Sequence, residues 1–241
     1  MNTRIKILLS VLSVSLIIEA SAQEFYNSIM PLTTKSNTFN YKLTGNEYSF
    51  WSTLRGTVYL SDKWSNGSLK LENGDKYENV HMKLNTFLEE LVVYNDRTGT
   101  IFYLDKSIVD EFNMGLENNP HNLFRKVYLN KAPKGDHYFN VLYDGKVKLY
   151  LWHRTLETGT GRYIDDYGLT RASMFERDNI YFIIFPDNSF YRVSPKRLSF
   201  LRLFSEKKSV LRKAFRKNGI HFNNKLEDTI KATRLVEQEL F

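Results

Sequence analysis

The residues of this 241-residue chain whose types could do chemistry are five histidines, several acidic doublets and one glycine-flanked threonine. The histidines, His81, His121, His137, His153 and His221, are scattered, with no H-x-H or H-x-x-x-H pair that would put two imidazoles on one metal. Glu89-Glu90, Asp110-Glu111 and Asp165-Asp166 offer the paired carboxylates that a glycosidase uses as acid and base. Neighbours on a strand point to opposite faces, however, so each doublet reads as a turn or a solvent edge. Gly159-Thr160-Gly161 is the one stretch that could cradle a phosphate. It lacks the third glycine of a dinucleotide fingerprint and leads into no amphipathic helix, so it is expected to be a mobile loop between strands. No serine sits in a G-x-S-x-G elbow, and the chain contains no cysteine. No catalytic, metal or cofactor-binding constellation is therefore expected.

Charge is a stronger signal than any of these. The chain carries a formal net charge of +7, but ten basic residues against the single acid Glu206 fall between Arg192 and Asn218, leaving the rest of the chain near neutral or acidic. Lys207, Lys208, Arg212, Lys213, Arg216 and Lys217 are the candidate contacts to an anionic surface, either lipid headgroups or an anionic glycan. The solvated face of a helix is the commoner origin of such a charge run and explains it more simply. Nucleic acid is disfavoured, because Phe200, Phe204 and Phe215 in this segment fit a buried stripe better than a base-stacking platform. Aromatics such as Tyr59, Trp64, Tyr150, Trp152 and Phe182 fall in or beside expected strands. Core packing explains them more simply than an aromatic groove for sugar or lipid.

Residues 1–22 read as a secretory signal. Arg4 and Lys6 precede an apolar run from Ile7 to Ile18, and Ala20-Ser21-Ala22 presents a small-residue cleavage site, so processing is expected between Ala22 and Gln23. The apolar run falls short of the roughly twenty residues that span a bilayer. The expected destination is the periplasm or the exterior, with a peripheral position at the outer membrane as a further option.

The elements that must position these groups follow from turn residues and periodicity. Residues 23–55 form a polar, loosely structured lead-in. From Gly56 to Val193 short runs of Val, Ile, Tyr, Phe and Leu alternate with turn residues, predicting a meander of eight to ten antiparallel strands. The clearest hairpin joins Ser68–Glu72 to Lys76–Leu84 through Asn73-Gly74. Others join Leu91–Tyr94 to Thr100–Leu104, His137–Tyr143 to Lys146–Thr155 through Asp144-Gly145, and Ile180–Phe185 to Phe190–Val193. Residues 194–241 switch to helical spacing. Ser194-Pro195 supplies an N-cap and first turn, a second helix is expected from Ser205 to Asn218 with Val210, Leu211, Ala214 and Phe215 on its apolar face, and a third from Leu226 to Leu240.

The segment Arg55-Gly56-Thr57-Val58-Tyr59-Leu60 through Trp64, Gly67 and Asn73-Gly74, continuing to Val80–Asn85, resembles a family of exported Bacteroidota proteins, and the stretch from Pro195 to Leu240 is similar as well. The resemblance implies export, a β-rich body and a helical end. It implies no established activity and supplies no catalytic residues.

The expected fold is α+β, an antiparallel, strongly curved sheet or partial barrel followed by a C-terminal helical unit. The expected role is a non-enzymatic envelope protein that binds or scaffolds another component. A hydrolase acting on envelope polymer and a carrier of lipid or another apolar ligand are the rival classes. The hydrolase requires two or more of His81, His137, His153, Asp165 and Asp166 to converge in one cleft.

Overall fold

Turn residues punctuate the chain where the spacing predicts, and the strands between them join one sheet. The computed structural model describes residues 43, 45–48, 54–116, 120–131, 133–165 and 168–241, and at 54–55, 163–165 and 168–172 the backbone alone. The leader and its Ala22–Gln23 junction lie outside the described residues. The strands are β1 (Asn46–Glu47), β2 (Leu54–Arg55), β3 (Ser65–Leu71), β4 (Lys76–Asn85), β5 (Glu90–Asn95), β6 (Thr100–Leu104), β7 (Val109–Met114), β8 (Leu123–Leu129), β9 (Gly135–Asp144), β10 (Lys148–Asp165), β11 (Gly168–Ile184) and β12 (Phe190–Val193). Helices α1 (Arg197–Leu203), α2 (Lys208–Lys217) and α3 (Lys225–Leu240) complete the fold. Among the described residues no helix is long and apolar enough to cross a membrane.

The sheet runs β1-β6-β5-β4-β3-β7-β8-β9-β10-β11-β12, antiparallel along this path and not closed into a barrel, with β2 pairing parallel to β11. It departs from the expected consecutive meander at one point. After β6 the chain returns across the sheet, and β7 pairs with β3, as in Leu69 opposite Phe112. Gly67 permits this approach, because a Cβ there would lie 1.8 Å from the Asn113 carbonyl oxygen. The Asn73-Gly74 hairpin forms as expected. Gly74 takes φ +90°, a conformation that side chains with a Cβ resist, and a bulge follows where Asn79 adopts φ +56°.

The expected strands at Lys146–Thr155 and Ile180–Phe185 prove to be the roots of a much longer hairpin. β10 and β11 pair from Lys148–Ile184 out to Asp165–Gly168. Gly159-Thr160-Gly161 is therefore part of a paired strand, opposite Met174, Ser173 and Ala172, and not a mobile loop. Its glycine signal has a structural cause, since the register shifts between Glu157 and Gly159, and Gly159 takes φ +146° at that bulge.

Two-residue periodicity sorts the core. Leu149 and Leu151 of β10, with Tyr181 and Ile183 of β11, pack against Phe200, Leu201, Leu211, Phe215, Ile230 and Val236 of the helices. The alternate residues Tyr150, Trp152, Ile180, Phe182 and Ile184 form a second cluster with Phe139 and Leu129. A third cluster fills the interior of β3–β8 around Met82, Leu91, Phe112 and Phe124. Burying strands on both faces explains the long apolar runs in β10 and β11.

The helical boundaries differ in detail from those expected. α1 starts at Arg197 with Lys196 as its cap, because Ser199 Oγ accepts from the Ser194 amide and the Ser194 carbonyl accepts from Lys196 N. Ser205–Lys207 forms a separate 3₁₀ turn before α2, and Val210, expected on the apolar face, is 40% exposed. The Asn218-Gly219 stop holds. Ile220 N donates to Phe215 O and Gly219 N to Arg216 O, with Gly219 at φ +64°. Asn224 caps α3 by accepting from Glu227 N.

Candidate functional site

Among the described side chains of the acidic doublets, Glu89 is the one built into a buried network. It lies in the turn between β4 and β5, where Asn85 Oδ1 accepts from Phe87 N at 3.0 Å and Leu88 N at 3.1 Å and so shapes the turn. Glu89 itself sits at φ +55°, unusual for a residue with a long side chain. Five strand intervals separate β4 from β10, about 24 Å in a flat sheet. The turn nevertheless meets β10: Thr155 N donates to Thr86 O at 3.0 Å, and the two threonine hydroxyls lie 2.7 Å apart. β9 and β10 cease pairing at Asn140–Leu151, and the Glu89 carboxylate bridges the strands beyond that point. It accepts from Trp152 Nε1 of β10 at 2.6 Å, meets His137 Nδ1 of β9 at 2.8 Å and pairs with Lys106 Nζ at 3.1 Å.

Burial acts to raise the Glu89 pKa, but the His137 hydrogen bond, the charges of Lys106 and His137 and the Trp152 bond outweigh it and hold the carboxyl below its ordinary value. Neither His137 nitrogen is spare, since Nε2 faces the Pro133 carbonyl at 3.2 Å. This group joins β9 and β10 to the turns that follow β4 and β6.

The other histidines stand apart from it. His81 on β4 pairs with Asp96 at 3.3 Å. His153 on β10 meets Asn179 Oδ1 at 3.1 Å through Nδ1 and lines a pocket of about 620 Å³ with Ser61, Asp62, Trp64 and Arg177. Burial, reinforced by the Arg177 charge, pushes His153 down to about 4, so near neutrality it is uncharged. The structure thus places His81, His137 and His153 in three separate settings. His121 is half-buried beside β8 and His221 is exposed after α2. Asp165 is described by its backbone only, and Asp166 lies outside the described residues. Asp110 and Glu111 are taken up by Lys70 and Arg125 in ion pairs on the sheet surface. Among the described residues no group of three or more His, Asp or Glu is arranged to hold a metal ion.

Lys83 is a buried site that its sequence context does not announce. It is 3% exposed, on the face of β4 opposite Met82, with the rings of Tyr59 and Trp64 at 5.2 and 5.1 Å from its ammonium. Burial lowers its pKa to about 8. Part of the stretch expected to be a loose lead-in contributes to this layer. Asn46–Glu47 pairs with β6, and the Tyr48 hydroxyl lies 2.8 Å from that of Tyr59 and accepts from Asn85 Nδ2.

A shallow trough of about 600 Å³ runs between the end of β8 and the β11–β12 turn, with Phe182, Phe190 and Leu129 among its apolar lining and Lys131, Asp187 and Arg192 among its polar lining.

The basic segment has a different character from all of these. Leu211, Ala214 and Phe215 are buried in the helical core, and Lys207, Lys208, Arg212, Lys213, Arg216 and Lys217 are all exposed. At about 100° per residue, Lys208, Arg212, Arg216, Lys213 and Lys217 follow one another around about half the circumference of α2. None of the six is in an ion pair among the described residues. The Arg197 guanidinium of α1 donates to Arg212 O at 3.2 Å, fixing α1 beside this surface.

Comparison with known protein families, curated proteins and solved structures finds no match for the chain.

Proposed function

We propose that this is an exported, non-enzymatic binding or scaffolding protein whose contact surface for a densely anionic partner is the outer face of α2. The observation that carries this reading is the exposed arc of cations on α2, held by a buried apolar stripe and engaged by no acid among the described residues. Several cations of the sheet are matched by acids, Lys70 by Asp110, Lys126 by Glu72 and Arg125 by both Glu111 and Asp144. A cluster of like charges repels itself unless an external polyanion relieves it, so unpaired accumulation in one place fits recognition better than uniform solubility.

A hydrolase would use the histidine or carboxylate groups, and the three strand histidines are engaged separately. A carrier would seat its ligand in the trough beside Phe182 and Phe190, whose rim includes Lys131, Asp187 and Arg192 and is polar for an apolar cargo.

The test is binding of the full chain to dextran sulfate at low ionic strength. Binding that weakens steeply with added salt is expected. Reversing Lys213 and Lys217 to Glu should abolish it, whereas reversing the exposed Lys76 and Lys131 should not. Equal losses in both double variants would make the interaction one of overall charge and defeat the reading.

A further inference from the structure

Of the exposed aliphatic side chains among the described residues, which also include Leu88, Ile108 and Leu156, two belong to the helical unit. Leu198 is 63% exposed and Val210 40% exposed. Leu198 on α1 stands one helical turn before the exposed Arg202, and Val210 on α2 stands three residues before Lys213 and seven before Lys217, so each shares its helix face with basic residues. Their neighbours on the same helices, Phe200, Leu201, Leu211 and Phe215, are buried, so the helical unit already has a filled core that these two side chains do not join.

A soluble polyanion requires only the cations. An exposed leucine and valine beside them add nothing to its binding and keep apolar surface in water. A bilayer with anionic headgroups uses both, because the cations meet the phosphates while the aliphatic side chains enter the boundary between headgroups and acyl chains. We infer that the partner of this face is an anionic lipid bilayer, on which α1 and α2 dock peripherally with Leu198 and Val210 inserted. This rests on the proposal that α2 is a polyanion-contact surface and names its partner. The charge distribution supports it, since ten of the chain's basic residues fall between Arg192 and Asn218 against one acid, which orients this end of the protein toward a negative surface.

Each basic residue near an anionic membrane contributes roughly fivefold to partitioning. The experiment compares the full chain and its variants on vesicles of phosphatidylglycerol mixed with phosphatidylcholine, on phosphatidylcholine alone and on dextran sulfate, at low and high salt. The wild-type protein should partition to the anionic vesicles more strongly than to the neutral ones, and salt should reduce the difference. Lys213→Glu/Lys217→Glu should lose roughly 25-fold or more on anionic vesicles and lose dextran sulfate as well. Leu198→Ser/Val210→Ser should lose roughly tenfold on anionic vesicles while holding dextran sulfate unchanged. Both positions are exposed, so circular dichroism and melting should match the parent and exclude misfolding as the cause.

If the Ser variant binds anionic vesicles as the parent does while the Glu variant loses both partners, the bilayer inference falls and polyanion contact stands. If the Glu variant retains dextran sulfate, the polyanion reading falls and takes the bilayer inference with it.

Discussion

The Glu89 network and the outer face of α2 use charge in opposite ways. In the first, one carboxylate with a 14% exposed side chain meets an indole, an imidazole and an ammonium, drawn from β10, β9 and the turn after β6. In the second, five exposed cations share an arc of α2 with Lys207 in the turn before it, and none meets an acid among the described residues. Charge withdrawn from water must be matched inside the protein, whereas charge left in water is free for an external partner. The network thus belongs to folding, while the helix face is the surface proposed for a partner, and substitutions should separate them by the size of their effect on stability.

The largest effect should come from beneath the cationic face. Leu211 is 0% exposed in the core formed by the helices with β10 and β11. Leu211→Asp places an unpaired carboxylate there and should cost about 4 kcal/mol or more, read as a shift in the denaturant midpoint. Retention of near-parental stability would mean that α2 does not pack as described, and the division between its two faces would be lost.

Glu89→Ala should follow at about 3 kcal/mol, because it leaves His137, Lys106 and Trp152 without their common acceptor. Its pH dependence has a definite sign, shared with Asp105 and Asp187, whose carboxyls are also held below their ordinary value by hydrogen bonds from Ser107 and Ser189. The Glu89 carboxyl is held below 4.5 in the folded protein, so its contribution is fully present above that value and is lost as pH falls through the lower folded value. His153 acts over a higher window: its folded value of about 4 lies below the ordinary 6.5, so the unfolded chain takes up the proton first and stability declines as pH falls between the two. Urea melts from pH 7 to 3 should therefore decline in two stages, with Glu89→Gln flattening only the stage below about 4.5. Flattening of the upper stage instead would reassign the acid sensitivity and remove Glu89 from the centre of the network.

How much of this was legible in the sequence depended on whether the signal was local. The hairpins at Asn73-Gly74 and Asp144-Gly145 and the helix stop at Asn218-Gly219 are encoded by adjacent residues, and they appear where expected. The pairing of β7 with β3 involves residues about forty positions apart, such as Leu69 and Phe112, and no short motif signals it. Gly159-Thr160-Gly161 misleads because glycine marks bulges within strands as well as loops. Glu89 looked like half of a solvent-edge doublet, and its partners lie 17, 48 and 63 residues further along. Periodicity reports which face is buried, but not which distant strand will bring a histidine or tryptophan to a carboxylate. The cationic face was legible because a helix displays in three dimensions what its sequence repeats every three or four residues.

The smallest effect should belong to the cations themselves. Lys213 and Lys217 are exposed, lie on the side of α2 away from Leu211 and Phe215, and make no ion pair among the described residues. Reversing both to Glu removes no packing. It also relieves repulsion from Arg212 and Arg216 and sets acids near the helix C-terminus, where the helix dipole disfavours them. These opposing contributions are each a few tenths of a kcal/mol, so the net change in unfolding free energy should stay within about 0.5 kcal/mol. Chemical denaturation at low and high salt checks this. A loss of 2 kcal/mol or more would show that the basic face serves the fold, and the contrast with the Glu89 network would then collapse.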